Sequence, residues 1–163
     1  TEALGAAAKW RLGLGVAALR ARLRARGGDL VLRRGPALDT LRAERIDHGV
    51  RAEEDASLMR RLKESQTPLT VCPLSNLKLK GVDDMRDHNL ARLLRAGLCV
   101  TVNSDDPAYF GGYMNANFIA VAEALSLSRE ELVTLARNSF LAAFVSDAER
   151  QPWLDEIDAM LRR

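Results

Sequence analysis

Short apolar runs alternate with amphipathic segments over most of this sequence, and that alternation most constrains its fold. The apolar runs are rich in β-branched residues and stop at turn-forming residues, which is typical of strands buried on both faces. We predict strands near 44–48, 69–73 and 98–103. Apolar residues at helical spacing predict helices at 52–65, 83–97, 114–125, 128–144 and 152–163. Strands that alternate with helices predict an α/β fold with a parallel sheet.

Polar residues follow each of the three predicted strands. His48 ends the first strand, Cys72 ends the second, and Asp105 and Asp106 follow the third in VTVNSDDPAYFGG (100–112). A turn is the simplest explanation of the two adjacent aspartates, since Asn, Ser, Asp and Pro are turn formers. In an α/β barrel, however, the carboxyl ends of the strands are where catalytic groups gather. Three polar strand ends together favour a functional site at that edge.

Charge is distributed unevenly along the chain. Residues 1–35 contain eight Lys or Arg and two acidic residues, a net charge of +6, whereas residues 36–163 carry a net charge of −4. The basic residues are almost all arginines among Ala, Gly and Leu, and we do not expect them to bind nucleic acid. No apolar run is long enough to span a membrane, and charged residues interrupt the first apolar stretch, so no signal peptide is predicted. Cys72 and Cys99 lie in apolar runs and are predicted to be reduced core residues of a cytoplasmic protein.

Three motifs resemble the C-terminal half of the metal-dependent adenosine/adenine deaminase family. They are ERIDHG, LTVCPLSN and VTVNSDDPAYFGGY, and the resemblance covers residues 37–163. DHNLARLL before the third motif and ARNSF after it are more similar to the adenine branch than to the nucleoside branch. The resemblance implies the C-terminal half of a (β/α)8 TIM barrel in a zinc-dependent hydrolase of purine salvage. It implies hydrolytic deamination of adenine to hypoxanthine and ammonia, with adenosine as the runner-up substrate.

The resemblance also implies roles for three residues. Asp105 matches the aspartate that ligates zinc, and Asp106 matches the neighbouring carboxylate that hydrogen-bonds a purine ring nitrogen. His48 matches the catalytic histidine that orients the activated water. These roles fit the chemistry, because a bound cation removes most of the repulsion between adjacent carboxylates. Cys72 is expected to pack in the core rather than to bind metal, and His88 is expected to be a surface or capping residue.

The sequence departs from the family pattern in its first part. The family has an early His-x-His pair and a His-Ala-Gly-Glu motif, whereas the histidines of this chain are His48 and His88. A catalytic zinc site normally takes three protein ligands, and here only Asp105 is assigned. We therefore leave open whether this chain is itself an enzyme, and a catalytically inactive fragment or binding module is the alternative.

Two domains that differ in composition and in family resemblance are predicted. Residues 37–163 form the C-terminal half of the deaminase barrel, and residues 1–36 form an Arg/Ala/Gly-rich arm unlike the family, either a shifted reading frame or a genuine arm. A half-barrel exposes apolar strand edges and helix faces that the other half would cover. We therefore expect self-association, and no deaminase activity from the chain as written.

Overall fold

The computed structural model describes Leu38 and residues 43–162 of the chain. All of these except Leu38 belong to the compact unit Ala43–Arg163. The predicted arm, residues 1–36, lies outside the described residues, and so does the predicted boundary between residues 36 and 37.

Three short strands form the sheet of the described unit. They are β1 (Ile46–Asp47), β2 (Leu69–Val71) and β3 (Val100–Val102). All pair in parallel in the order β1-β2-β3, with Ile46 opposite Leu69 and Leu69 opposite Val100. The predicted parallel α/β fold is confirmed, although each strand is shorter than predicted. All three residues of β3 are buried, as expected, whereas Asp47 of β1 is exposed.

Within residues 43–162, seven α-helices follow and connect these strands. They are α1 (Ala56–Ser65), α2 (Pro73–Lys78), α3 (Leu90–Arg95), α4 (Pro107–Phe110), α5 (Met114–Ala124), α6 (Arg129–Leu141) and α7 (Asp147–Leu161). Two short 3-10 helices, Val50–Glu54 and Met85–Asp87, precede α1 and α3 respectively. Among these described helices, none is long and apolar enough to cross a membrane.

The predicted helix 83–97 is interrupted. A 3-10 turn ends at Asp87, the backbone of His88 is extended, and α3 begins only at Leu90. The cause is local, because the Leu90 N–H donates to the His88 ring at 3.1 Å instead of to a carbonyl of the preceding turn. The prediction of one continuous helix was therefore wrong at this point.

Two other predicted boundaries need correction. α2 begins directly at Pro73, where a missing N–H has no cost, so the second strand ends at Val71 rather than at the predicted residue 73. α7 begins at Asp147 rather than at residue 152, because Ser146 and Glu149 form a reciprocal capping box. Pro152 is accommodated inside this helix.

Helix α6 covers one face of the sheet. Its Leu135 is fully buried, and the Asn138 side chain donates to the Val100 carbonyl of β3 at 2.8 Å. The Arg45 guanidinium donates to the Ala142 carbonyl at 3.1 Å and lies 4.2 Å from the centre of the Phe144 ring. These contacts join the residue before β1, at the amino end of that strand, to the end of α6.

Candidate active site

Two predicted site residues meet at the carboxyl edge of the sheet. His48 directly follows β1, and Asp105 lies three residues beyond β3. Their side chains approach to 3.6 Å between His48 Nε2 and Asp105 Oδ2, and both are partly exposed, at 18% and 26%. Parallel pairing of β1, β2 and β3 brings together residues that are 57 positions apart in the sequence.

The backbone at both residues is left-handed. His48 has a φ of 60° and Asp105 a φ of 57°. This conformation costs an L-residue roughly 1–2 kcal/mol, and such outliers concentrate at functional sites. The other non-glycine residues with positive φ follow the ends of helices, where a left-handed residue is ordinary; they are Gln66, Lys80 and Ser126. Helix termination therefore does not account for the backbone of His48 and Asp105.

Helix α2 supplies a third residue to this site. The Ser75 hydroxyl donates to Asp105 Oδ2 at 2.7 Å, and Ser75 is completely buried. Because α2 begins at Pro73, its first turn directs Ser75 toward the end of the neighbouring β3. One oxygen of the Asp105 carboxylate is thus oriented by a buried hydroxyl and also faces His48.

A chain of hydrogen bonds continues behind His48 into the core. Asn76 Nδ2 lies 3.3 Å from His48 Nδ1, and Asn76 Oδ1 lies 3.3 Å from His88 Nε2. Asn76 is 7% exposed and His88 is 1% exposed. Burial, and secondly the positive charge of Arg92, lowers the pKa of His88 from 6.5 to about 4. The expectation of a surface position for His88 was wrong, although its Nδ1 does cap α3 by accepting from the Leu90 N–H.

Asp106 has a structural task. Its Oδ1 accepts hydrogen bonds from the backbone N–H groups of Ala108 and Tyr109, each at 3.1 Å, and so caps the short helix α4. The simple turn interpretation of the adjacent aspartates therefore holds locally for Asp106. Its assignment to substrate binding stays a prediction.

Cys72 lies between the two strand ends that carry His48 and Asp105. It is 6% exposed, and its thiol donates to the Thr70 carbonyl at 3.4 Å. One potential ligand atom from each of His48, Cys72 and Asp105 lies within 4.8 Å of the others. Imidazole nitrogen, sulfur and carboxylate oxygen are all zinc ligands, so the donor set fits a metal cofactor. The role of Cys72 in core packing, which was expected from the sequence, agrees with its burial.

Sequence reasoning located His48 and Asp105 but missed their supports. Ser75 and Asn76 lie within the quoted motif LTVCPLSN, yet nothing in that run predicts that Pro73 starts a helix facing the site. His88 is 40 residues from His48, and only the fold brings both imidazoles to the same asparagine.

Comparison with known families agrees with this geometry. The adenosine deaminase family model matches residues 33–160, which is most of the chain. The chain belongs to the adenosine deaminase family. Its three parallel strands and their helices are accordingly part of the C-terminal half of a (β/α)8 barrel.

Adenine deaminases are among the similar proteins. The chain is 62% identical over 122 residues to the adenine deaminase of Acinetobacter baylyi and 60% identical over 126 residues to that of Hahella chejuensis. These matches cover 75% and 77% of this chain but 37% and 38% of those proteins. The crystal structure of adenine deaminase from Arthrobacter aurescens superposes with a TM-score of 0.77 at 50% identity, covering 79% of this chain and 39% of that one. The chain thus spans less than half the length of the relatives it matches.

Proposed function

We propose that this chain is the C-terminal part of an adenine deaminase, which hydrolyses adenine to hypoxanthine and ammonia. The observation that carries the proposal is the approach of His48 to Asp105, 3.6 Å apart, at the ends of parallel strands in a chain similar to adenine deaminases. Adenosine is the alternative substrate, and the curated relatives named above, which are adenine deaminases, favour adenine over it.

The proposed roles follow from chemistry and position. Asp105 would hold a zinc ion through its carboxylate, with Ser75 orienting that carboxylate from behind. When bound, zinc lowers the pKa of water to about 7 and so supplies a nucleophile at neutral pH. His48 would hold the attacking oxygen in place through Nε2, and Asp106 would hydrogen-bond a ring nitrogen of the purine while capping α4. His48 and Asp105 lie in loops that follow strands of the sheet, so the sheet sets their positions. Catalysis by proximity requires such a fixed arrangement.

The chain alone should be inactive. In the family resemblance the remaining zinc ligands come from motifs that this sequence lacks, and each lost ligand removes a preorganised bond. We expect no measurable deamination of adenine or adenosine by the purified chain with added zinc, and substoichiometric zinc by metal analysis. Full turnover with one tightly bound zinc per chain would contradict this expectation.

A chimera tests the function itself. Residues 43–163 would replace the matching segment of the Acinetobacter baylyi adenine deaminase, and ammonia release would be measured with adenine and with adenosine. We expect turnover with adenine, a loss of about 10²-fold or more in His48→Ala, and loss of zinc in Asp105→Asn. Cys72→Ser is the matched control and should retain zinc and activity within a few-fold.

The outcomes separate the alternatives. A folded chimera that binds zinc without turning over either purine would favour a non-catalytic module. A preference for adenosine would overturn the assignment of substrate, and loss of zinc in Cys72→Ser would show that the thiol is a ligand.

A further inference from the structure

We propose that His88, acting through Asn76, is a positioning residue that holds neutral His48 in the tautomer with its proton on Nε2. The hydrogen-bond geometry carries this inference, and only its catalytic meaning rests on the proposed function. The hydrogen-bond chain begins at the Leu90 backbone N–H, which can only donate, and runs through the side chains of His88, Asn76 and His48 to the edge of the sheet.

A backbone N–H fixes the tautomer of His88. The Leu90 backbone N–H donates to His88 Nδ1 at 3.1 Å, so this nitrogen carries no proton. A neutral imidazole then has its proton on Nε2. The ring is 1% exposed, and its pKa, lowered to about 4 by burial, keeps it neutral near pH 7.

His88 in turn fixes the orientation of the Asn76 side-chain amide. His88 Nε2–H faces Asn76 at 3.3 Å and needs an acceptor, which in an asparagine side chain is Oδ1. Rotation of the amide by half a turn would set two donors against each other in a buried place and leave both without an acceptor. The amide nitrogen therefore lies on the opposite side, 3.3 Å from His48 Nδ1.

The Asn76 amide then fixes the tautomer of His48. Asn76 Nδ2 donates to His48 Nδ1, so Nδ1 accepts and the proton of the neutral ring lies on Nε2. This is the atom 3.6 Å from Asp105 Oδ2. Neutral His48 therefore presents a hydrogen-bond donor to the carboxylate and to the reaction space. Under the proposed function, His48 orients the attacking oxygen by donating to it, while His88 and Asn76 stay out of contact with substrate.

Nitrogen NMR of the chain tests this directly. The sequence has two histidines, so a sample labelled with ¹⁵N in the imidazole rings gives signals from His48 and His88 alone. Long-range proton–nitrogen correlation would be recorded with a metal chelator, well above the ordinary histidine pKa of about 6.5. We expect protonated Nε2 and unprotonated Nδ1 in both rings. A proton on His48 Nδ1 in the unaltered chain would overturn the proposal.

Substitutions test whether His88 controls the tautomer of His48 through Asn76. Asn76→Asp replaces the donor to His48 by an acceptor, so the His48 proton should move from Nε2 to Nδ1. His88→Leu removes the donor that orients Asn76, and His48 should become a mixture of both tautomers. His88→Gln keeps an N–H donor and should restore the Nε2 tautomer. An unchanged His48 in both Asn76→Asp and His88→Leu would contradict the proposal.

Asn76→Asp also adds a negative charge near His48, and a matched control separates that effect from the loss of the Asn76 donor. Asn103→Asp makes the same amide-to-carboxylate change at the same sheet edge, where the Asn103 amide donates to Thr101 and Val71. It should leave the His48 tautomer unchanged. If His88→Leu fails to fold, the unaltered chain and Asn76→Asp still decide. The measurement uses neither zinc nor substrate, so a wrong proposed function would leave its result intact.

Discussion

At the scale of single residues, the site depends on side chains whose importance is not visible locally. Asp105 is oriented by Ser75, and His48 is oriented by Asn76. The one fully buried imidazole, His88, lies behind them and is held neutral by its surroundings. These supports place polar groups in the core, where each must find a partner.

The buried His88 makes stability depend on pH. Its pKa is about 4 in the folded chain against 6.5 as the ordinary value, so between these values the unfolded chain binds a proton that the folded chain does not. The contribution of His88 is therefore fully present above pH 6.5 and is lost as pH falls toward 4. We expect this loss to amount to roughly 3 kcal/mol in the free energy of unfolding.

Urea denaturation at a series of pH values measures this contribution. Carboxylates also titrate in the window, so the comparison is with His88→Gln, which keeps a neutral donor that cannot be protonated there. The variant should lose less stability than the unaltered chain between pH 6.5 and 4. Parallel curves for the two proteins would show that His88 is protonated equally in both states.

At the scale of elements, periodicity in the sequence predicted the architecture but not the boundaries. The alternation of strands and helices and the parallel sheet follow from patterns of burial, which the spacing of apolar residues along the sequence records directly. The interruption at His88 depends instead on where a side chain finds its hydrogen bond, and the start of α2 depends on Pro73 as the first helical residue. His48 and Asp105 were predictable because both end a strand, whereas the partners of both lie on other elements.

The start of α7 offers a test at this scale. Ser146 caps the helix with Glu149, and the helix then packs on α6 through the rings of Trp153 and Phe140, whose centres are 5.4 Å apart. Ser146→Ala should lower the free energy of unfolding by about 1 kcal/mol, because backbone N–H groups lose their acceptor. The matched control is Ser139→Ala in the last turn of α6, where the hydroxyl donates to the Leu135 carbonyl. Urea denaturation should find this control neutral or slightly stabilised, and equal effects of both substitutions would contradict the capping argument.

At the scale of the whole molecule, the described unit resembles part of a larger closed structure. The described sheet has three strands, and β1 and β3 are its edges. Large apolar side chains on the described surface are also exposed, among them Tyr109 and Tyr113 at 74% and Phe144 at 67%. Exposed apolar patches are sites of association.

We therefore expect the purified chain to self-associate. Sedimentation velocity should give a weight-average mass that rises with concentration, and an apolar dye should bind with enhanced fluorescence. The chimera with the Acinetobacter baylyi segment should bind less dye per chain, because the supplied half covers these surfaces. A chain that stays monomeric at all concentrations and binds no dye would contradict this expectation.

Residues 1–36 pose a separate question. We propose that this arm is a shifted reading of the coding region, with the family's reading frame resuming near Pro36. The DNA that encodes the arm and lies upstream of it decides between the alternatives. Codons for His-x-His and His-Ala-Gly-Glu in another frame would support the shifted reading, and their absence would favour a genuine arm with a different task.

The left-handed backbone of His48 and Asp105 has a consequence for engineering. Glycine adopts this conformation without steric cost, so it is the residue that would relieve both positions. A screen that ranks substitutions by backbone strain alone would thus select glycine at 48 and 105 and remove the two facing side chains. Under the proposed function, attempts to make such a protein more heat-resistant should therefore keep His48 and Asp105, because glycine would relieve the backbone there whereas the proposed activity needs their side chains.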